Sequence, residues 1–223
     1  MAKNIAKGGR DNYPTPQIYA DWAIDRALQL SNGYGPLVGL EPGCGESAPF
    51  MRALSERTDG LFMGVEKENW VPKTGGCSQD LQLQMGVDFL LESDDSLWKS
   101  RSDAKFDIIA TNPPFSQCEA FMAKSIELLH PSGVMVFLLR MAIMGSKKRL
   151  SFWKDHMPIE IAHFVRRISF NGTSTDYAEY ACFFWAGTDL AKYLGRKTTA
   201  FYLVDNCADS VKDAGALRTI GAP

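Results

Sequence analysis

The sequence is poor in the residues that build disulfides and metal sites. It has three histidines and five cysteines, the latter at Cys44, Cys77, Cys118, Cys182 and Cys207. No Cys-x-x-Cys pair occurs, and no cysteine has a histidine partner at metal spacing. The odd count argues against a disulfide framework and predicts a reducing, cytosolic setting with no metal centre. His130 is predicted to cap the carboxyl end of a helix, and no histidine is assigned a catalytic role.

Long apolar runs and an excess of one charge are also missing. Runs such as Val134 to Leu139 are far too short to span a bilayer, and the first ten residues lack the apolar stretch of a signal peptide. The formal net charge of -2 gives no general basic character, so a nucleic-acid partner would have to be held by a local patch. With 223 residues, 45% of them hydrophobic, the chain is expected to form a single cytoplasmic α/β domain.

One segment in the second half of the chain is rich in positive charge. Few acids separate its basic residues, which are Arg140, Lys147, Lys148, Arg149, Lys154, Arg166 and Arg167. The aromatic residues Phe152 and Trp153 lie among them, a mixture suited to binding phosphates and bases together. Lys147, Lys148 and Arg149 are therefore candidate substrate-binding residues. The alternative is a solvated helix face, which most runs of charge form.

The predicted elements alternate between strand and helix. Predicted strands are Pro36 to Leu40, Gly60 to Val65, Phe106 to Thr111 and Val134 to Arg140, with later candidates at Ile159 to Val165 and Tyr177 to Trp185. Predicted helices are Gln17 to Leu30, Ala48 to Arg57 and Glu119 to His130, with a loop from Val71 to Asp80 and a turn from Pro131 to Gly133. Nearly continuous apolar strands are typical of a mostly parallel sheet with helices on both faces, so a Rossmann-like α/β fold is predicted.

The most informative segment is Thr-Asn-Pro-Pro-Phe, from Thr111 to Phe115. It directly follows a predicted strand, which the first proline must end, so Asn112 is placed at the carboxyl edge of a sheet, where α/β proteins bind ligands. The two prolines make the loop stiff. It presents backbone carbonyls, the Asn112 amide oxygen and the flat ring of Phe115. The alternative is a proline-rich loop terminator.

This set of groups suits a planar exocyclic amine beside a methyl donor. The lone pair of an adenine-type amine is delocalised into the ring, so the amine is a poor nucleophile. If the Asn112 oxygen and the Pro113 carbonyl each accept one N–H, they favour a pyramidal nitrogen whose lone pair points at the methyl group. No strong general base is required, because the proton becomes acidic once the nitrogen is alkylated.

A second motif lies earlier in the chain. Gly43-Cys-Gly45-Glu-Ser-Ala48 fits the dinucleotide pattern between a strand and a helix, and Glu66 lies at the offset expected for a carboxylate that binds a ribose. Taken alone, this motif also permits a dehydrogenase, or only a turn that starts a helix. Hydride transfer has no use for the Asn-Pro-Pro-Phe loop, however, so the two motifs together favour S-adenosylmethionine as the cofactor.

Together these motifs resemble those of amino-methyltransferases, specifically the N6-adenine DNA methyltransferases, over most of the chain. The resemblance implies a Rossmann-like methyltransferase fold with S-adenosylmethionine as cofactor and DNA as partner. Residues carried over to the cofactor site are Glu41, Gly43 and Gly45 near the methionine moiety, Glu66 at the ribose, Asp88 near the adenine, and Tyr13, Thr15 and Pro16 in the N-terminal segment 1–16. Carried over to catalysis are Asn112 and Pro113 as amine acceptors, in a loop completed by Pro114, and Phe115 as the stacking face for an extruded base. Phe170 corresponds to a second aromatic, a role for which Tyr177 competes.

The resemblance leaves the substrate open. Methyltransferases that act on adenine in RNA or on glutamine in proteins carry a similar loop, because these substrates also present a planar NH2 group. The basic segment favours nucleic acid as the substrate. A different class of function also stays open, namely a protein that binds the cofactor without catalysing transfer. Larger family members add a target-recognition domain. None is expected here, because residues 188–223 provide only edge structure and a tail. Small members of the family are often encoded by phages, an origin that the resemblance suggests.

Overall fold

Eight strands and five α-helices make up the described part of the chain. In this computed structural model the described residues are 13–31, 35–73, 81–91, 105–170, 172–195, 198–205 and 207. The strands are β1 (Leu37–Pro42), β2 (Gly60–Glu66), β3 (Leu81–Met85), β4 (Phe106–Thr111), β5 (Leu129–Arg140), β6 (Glu160–Phe164), β7 (Tyr180–Ala186) and β8 (Ala200–Val204). The helices are α1 (Gln17–Ser31), α2 (Pro49–Ser55), α3 (Cys118–Leu128), α4 (Leu150–Asp155) and α5 (Thr188–Leu194), and short 3-10 helices span Phe115–Gln117, Met141–Gly145 and Lys147–Arg149.

All eight strands form one sheet in the order β3-β2-β1-β4-β5-β7-β6-β8. Neighbouring strands are parallel except at β7, which runs antiparallel to both β5 and β6. The prediction of a mostly parallel sheet flanked by helices is confirmed. Among the described residues, no helix has the length and apolar character needed to cross a membrane.

The apolar runs form the centre of the sheet because both of its faces are covered. Along β5, Val134, Val136 and Leu138 pack into one apolar cluster, whereas Met135, Phe137 and Leu139 pack into the other. This alternation follows the two-residue period of a strand. Helices α1, α2 and α5 contribute to the first cluster, and α3 and α4 contribute to the second.

The predicted boundary between α3 and β5 is wrong. The helix ends at Leu128 instead of continuing to His130, and β5 already pairs with β4 at Leu129. Residues 131–133 bulge within β5, since the register jumps from Phe106↔Leu129 to Ile108↔Val134. The chain then returns to β4 at Gly133. Only glycine fits there, because a Cβ would lie 2.8 Å from the carbonyl oxygens of Phe106 and Asp107. His130 caps no helix; its Nδ1 accepts the N–H of Ser132 at 3.1 Å.

Two edge strands and the chain ends remain to be compared with the predicted elements. Strand β3 was not predicted, and the neighbouring loop prediction lies outside the described residues over 74–80. Strand β8 forms one edge of the sheet beside β6, at the start of the stretch predicted as edge structure. Most of the predicted tail, residues 208–223, likewise lies outside the described residues, as do residues 1–12 of the N-terminal segment.

The order of the strands reverses between β1 and β4, which pair in parallel. The chain leaves β1 towards β2 and β3 on one side, whereas β4 is followed by β5 on the other. In α/β proteins this point is the usual ligand site, at the carboxyl ends of the strands. The Thr111 hydroxyl at the end of β4 donates a hydrogen bond to the Pro42 carbonyl at the end of β1. The two sequence motifs therefore meet at one place.

Candidate active site

A cavity of about 620 Å³ opens at this carboxyl edge. Three segments named in the sequence analysis contribute to its wall: the N-terminal segment, the glycine turn and the Asn-Pro-Pro-Phe loop. The predicted site residues that line it are Tyr13, Thr15, Glu41, Gly43, Gly45, Glu66, Asp88, Asn112 and Pro114. The structure thus brings together residues from distant parts of the chain.

The glycine turn folds back tightly after β1. Gly43 and Gly45 have φ values of 69° and 62°, in the region that favours glycine. The Gly43 and Cys44 N–H groups donate to the Val65 carbonyl at 2.7 and 3.1 Å. A Cβ on Gly43 would lie 3.4 Å from the Phe121 ring, so the turn packs closely against α3. Ala48 precedes α2 with φ of 42°, so the helix begins at Pro49 and not at Ala48.

Glu41 is a buried carboxylate beneath this turn, with 2% of its surface exposed. Its Oε2 accepts the N–H groups of Phe50 and Met51 at 3.0 and 2.9 Å, at the start of α2. Burial raises the pKa of Glu41 well above its ordinary value, although the two N–H donors act in the opposite direction. A cationic ligand group would favour the ionised form of Glu41.

Glu66 ends β2 and ties that strand to the glycine turn. Its Oε2 accepts the Gly45 N–H and its Oε1 accepts the Glu68 N–H, both at 2.9 Å. Each carboxylate oxygen has a second lone pair, so the side chain can also accept hydrogen bonds from a ligand. The predicted ribose carboxylate therefore also has a structural role in the free protein.

Asp88 also lines the cavity and lies just after β3. Its carboxylate pairs with Lys67 Nζ at 2.9 Å and accepts the Leu90 N–H at 3.0 Å. The hydrogen bond from Lys67 lowers the pKa of Asp88. The carboxyl ends of β1, β2 and β3 thus each supply one acid to the same cavity.

Sequence reasoning missed a strap of residues, 67–73, that crosses the glycine turn. Trp70 lines the cavity, and a Cβ on Gly45 would lie 3.8 Å from its ring. The strap is fixed by the Lys73 N–H, which donates to the Glu46 carbonyl at 2.7 Å, and by Arg52, which donates to the Lys73 carbonyl at 2.9 Å. The only sequence signal was an aromatic residue four positions after Glu66.

Asn112 directly follows β4 and lines the cavity. Its Nδ2 donates to the Tyr13 carbonyl at 3.1 Å. Its Oδ1 is buried and has no hydrogen-bond partner among the described residues. Because buried acceptors are nearly always paired in folded proteins, an orphaned amide oxygen marks the place where a ligand donor is expected. The Tyr13 contact fixes which end of the amide faces that place.

Phe115 belongs to an aromatic cluster and is not one of the residues that line the cavity. The Tyr13 ring lies 5.1 Å from Phe115 and 5.4 Å from Phe170, and Tyr180 lies 5.0 Å from Phe170. Phe170 thus belongs to the same aromatic cluster as Phe115, and its role as a second aromatic at the substrate stays a prediction. The competing residue, Tyr177, is 90% exposed. Tyr180, which sequence reasoning assigned only to a strand, joins the cluster from the first position of β7.

The N-terminal segment touches both halves of the site. Tyr13 contacts Asn112 through its carbonyl and Phe115 through its ring, and Thr15 lines the cavity. Pro16 lies directly before α1, where its carbonyl accepts the Tyr19 N–H at 3.0 Å. It is not one of the residues that line the cavity.

The basic segment divides into parts with different environments. Lys147 and Lys148 are exposed in a 3-10 helix, whereas Arg149 pairs with Glu119 at 3.4 Å. Trp153 is buried against Phe183, so the idea that it stacks on bases is wrong; its large apolar ring belongs to the core. Arg140 is held among aromatic rings by Asp176 and Tyr180. Only part of the segment is therefore available to phosphates.

Charge is distributed unevenly along the carboxyl edge. Glu41, Glu66 and Asp88 lie at the ends of β1 to β3, whereas Lys147, Lys148 and Arg149 follow β5. Arg166 and Arg167 follow β6, which is parallel to β5, so they emerge at the same edge. Asn112, at the end of β4, lies between the acidic and the basic side.

The fold is that of S-adenosylmethionine-dependent methyltransferases. No family model and no curated protein matches the sequence. Among solved structures, a protein from Listeria monocytogenes assigned as a class I S-adenosylmethionine-dependent methyltransferase superposes with a TM-score of 0.66 at 14% identity, over 94% of this chain and 71% of that chain. A protein from Pyrococcus horikoshii assigned as an RNA methyltransferase superposes with a TM-score of 0.60 at 14% identity, over 81% and 91% of the two chains.

A third similar structure is the methyltransferase subunit of a type I restriction-modification system from Streptococcus thermophilus. The TM-score is 0.64 at 15% identity, and the match covers 86% of this chain. This chain spans about half of that subunit, since the match covers 47% of it. These likenesses establish the fold. The substrate has to be argued from the site.

Proposed function

We propose that this protein transfers a methyl group from S-adenosylmethionine to the exocyclic N6 amine of adenine in DNA. The observation that carries the proposal is the buried, unpartnered Oδ1 of Asn112 beside the cavity. It is an acceptor held in place without a donor. An amine N–H would supply that donor, and the Pro113 carbonyl next to it would take the second N–H.

The proposed chemistry needs orientation more than acid–base groups. S-adenosylmethionine supplies the electrophilic methyl group. Asn112 and the Pro113 carbonyl hold the amine, stabilise the positive charge that develops on nitrogen and direct its lone pair towards the cavity. The Tyr13 carbonyl acts as a positioning group, because it holds the Asn112 Nδ2 and leaves Oδ1 turned to the substrate.

The charges that line the cavity and the backbone of its glycine turn support the proposed cofactor. Glu66 would hold the ribose hydroxyls, Glu41 would face the methionine ammonium group, and Asp88 would lie towards the adenine. The positive φ angles of Gly43 and Gly45 permit the close approach of a ligand to the backbone. Five carboxylates line the cavity, against two lysines, Lys67 and Lys73. This acidic balance suits a cofactor of net positive charge, with a sulfonium and an ammonium group against one carboxylate.

DNA is proposed over RNA and protein on the evidence of charge, aromatic groups and fold. The basic side of the sheet edge suits a phosphate backbone. The ring of Phe115 stacks over a larger area on a purine than on the amide of a glutamine side chain. A restriction-modification methyltransferase subunit shares the fold. An RNA substrate is the second candidate, because a protein assigned as an RNA methyltransferase shares it too. The phage origin stays a prediction.

One experiment separates the classes of function. The protein is incubated with methyl-labelled S-adenosylmethionine and a pool of DNA, RNA and protein, and label is measured in each fraction. The proposal predicts label in DNA. A cofactor-binding module would bind the cofactor without transfer, and a dehydrogenase would bind a nicotinamide dinucleotide in calorimetry instead of S-adenosylmethionine.

Replacing Lys147 and Lys148 together by alanine should weaken DNA binding and reduce its salt dependence. Each phosphate contact that is lost should make the slope of log K against log salt shallower by up to about 0.9. The effect should be the same for all DNA sequences, because phosphate contacts position without reading bases. Fluorescence anisotropy over a series of salt concentrations measures the slope.

Lys192 provides a matched control for this prediction. It is exposed on α5, which follows the carboxyl end of the antiparallel strand β7 and so lies at the opposite edge of the sheet. Lys192→Ala should leave the slope unchanged. If the double variant also keeps the wild-type slope, Lys147 and Lys148 belong to an ordinary solvated surface.

Cofactor binding should release a proton from Glu41. Burial keeps the pKa of Glu41 raised in the free protein, and the cationic ammonium group would lower it again. Affinity should therefore rise with pH until Glu41 is already ionised in the free protein. Calorimetric titration in buffers of different ionisation enthalpy counts the protons released.

Glu41→Gln is the control for this linkage. The glutamine oxygen can still accept the N–H groups at the start of α2, but the side chain has no proton to release. The variant should bind more weakly and show no proton release from this position. Equal proton release in the two proteins would contradict the placement of Glu41 beside the cofactor's cationic group.

A further inference from the structure

The guanidinium group of Arg140 lies over the ring of Phe115, the residue proposed to receive the target base. Arg140 ends β5, and its guanidinium carbon is 3.8 Å from the centre of the Phe115 ring. This separation is that of a stacked planar cation on an aromatic face. The same carbon lies 5.5 Å from the Tyr13 ring and 5.8 Å from the Tyr180 ring.

Two hydrogen bonds hold Arg140 in this position, and a third joins their acceptors to each other. Its Nε donates to the Tyr180 hydroxyl and its Nη2 donates to Asp176 Oδ2, both at 3.0 Å. The Tyr180 hydroxyl donates to the same Asp176 oxygen at 2.5 Å. Burial, together with the hydrogen bond to Asp176, raises the pKa of Tyr180, so the phenol keeps its proton. Asp176 and the Tyr180 hydroxyl therefore hold the guanidinium group in place through hydrogen bonds from its Nε and Nη2.

The other neighbours of Phe115 leave little space for a planar ligand. Tyr13 and Tyr180 lean on the ring with interplanar angles of 46° and 48°. Phe115 also packs against both apolar clusters of the core. Arg140 is the charged neighbour, and its side chain keeps 33% of its surface exposed. Arg140 is thus the polar, partly exposed group that covers one face of Phe115.

We propose that Arg140 occupies the target-base position in the free protein and must be displaced before adenine can stack on Phe115. This inference rests on the proposed function and names a residue that controls access of the base. Arg140 keeps the aromatic ring covered until a base with a strong stacking face replaces it. A base that stacks weakly would not recover the contacts that the guanidinium loses, so Arg140 also favours purines.

The test compares two short single-stranded DNA probes, both bound to protein saturated with the demethylated cofactor product. One is a thymidine strand with a central adenine, and the other has an abasic site at that position. The ratio of their dissociation constants isolates capture of the adenine from contacts to the backbone. Arg140→Lys keeps the positive charge but loses the planar stacking surface. Arg140→Met loses both and keeps a long, flexible side chain.

In both variants adenine should bind more tightly relative to the abasic probe. The ratio should favour adenine by about 5- to 30-fold more than in the wild type, since the stacked contact and its hydrogen bonds no longer compete. Adding Phe115→Ala to Arg140→Lys should cancel the gain. Melting temperatures close to that of the wild type would show that the variants are folded.

Two other outcomes overturn the inference. If Arg140→Lys leaves the ratio unchanged while Arg140→Met weakens both probes, Arg140 is a phosphate contact. If neither variant changes the ratio, the base does not use this face of Phe115. Methyl transfer by the wild-type protein is measured in parallel. Transfer to the adenine strand with an unchanged ratio would contradict only the role of Arg140, whereas no transfer to any substrate would contradict the proposed function.

Discussion

Replacing Asn112 by alanine should lower the turnover number by about a hundred- to a thousandfold, which corresponds to roughly 2.7 to 4 kcal/mol of transition-state stabilisation. The lost acceptor matters most when the amine becomes pyramidal and its charge develops, so the loss should appear in kcat. Cofactor affinity, measured by calorimetry, should change little. The physical reason is the position of Oδ1, which is buried without a partner and oriented by the Tyr13 carbonyl.

Asn112→Asp is the matched variant for this prediction. It keeps an acceptor oxygen at the same distance from the backbone, now as part of a carboxylate, but loses the Nδ2–H that donates to the Tyr13 carbonyl. Its activity should therefore lie between those of the wild type and the alanine variant. If Asn112→Ala transfers methyl groups at the wild-type rate, the orphaned oxygen is not the amine acceptor.

Replacing Gly45 by aspartate should abolish cofactor binding. Gly45 has φ of 62°, and its N–H donates to Glu66 Oε2 at 2.9 Å. A new carboxylate at this position would enter the cavity beside Glu66 and meet the Trp70 ring, in the space that the ligand needs. Calorimetry with S-adenosylmethionine should detect no binding in this variant.

Gly195→Asp separates this effect from backbone strain. Gly195 has φ of 60°, and a Cβ there would have no heavy atom within 4 Å. Both variants pay a similar conformational cost of about 1 to 2 kcal/mol for a left-handed residue. Gly195→Asp should thus lose a similar amount of stability and still bind the cofactor. Unchanged affinity in Gly45→Asp would remove the glycine turn from the cofactor site.

The parts of the site that could be predicted are those where a motif adjoins its own strand. Asn112 follows β4 directly and Gly43 follows β1 directly, so the local pattern places both at the carboxyl edge. Parallel pairing of β1 with β4 then brings them together. The fold was predictable for the same reason, because buried parallel strands are continuous apolar runs in the sequence.

The parts that could not be predicted depend on contacts between distant residues. The Tyr13 carbonyl reaches Asn112 across 99 positions, and it is a backbone group that no side-chain motif reveals. Arg140 pairs with Asp176, 36 positions away in the sequence. Because of this pairing it is less available to phosphates than its place in the basic segment suggests. The bulge before Val134 likewise depends on how closely Gly133 approaches β4.

The most direct test is to identify the methylated nucleoside. Unmethylated DNA is incubated with the protein and labelled S-adenosylmethionine, digested to nucleosides and analysed by chromatography and mass spectrometry, with Asn112→Ala as the blank. N6-methyldeoxyadenosine should be the labelled product, at least about a hundredfold above the blank, because Asn112→Ala loses a transition-state hydrogen bond. Label in a different base, or equal label with Asn112→Ala, would contradict the proposed function.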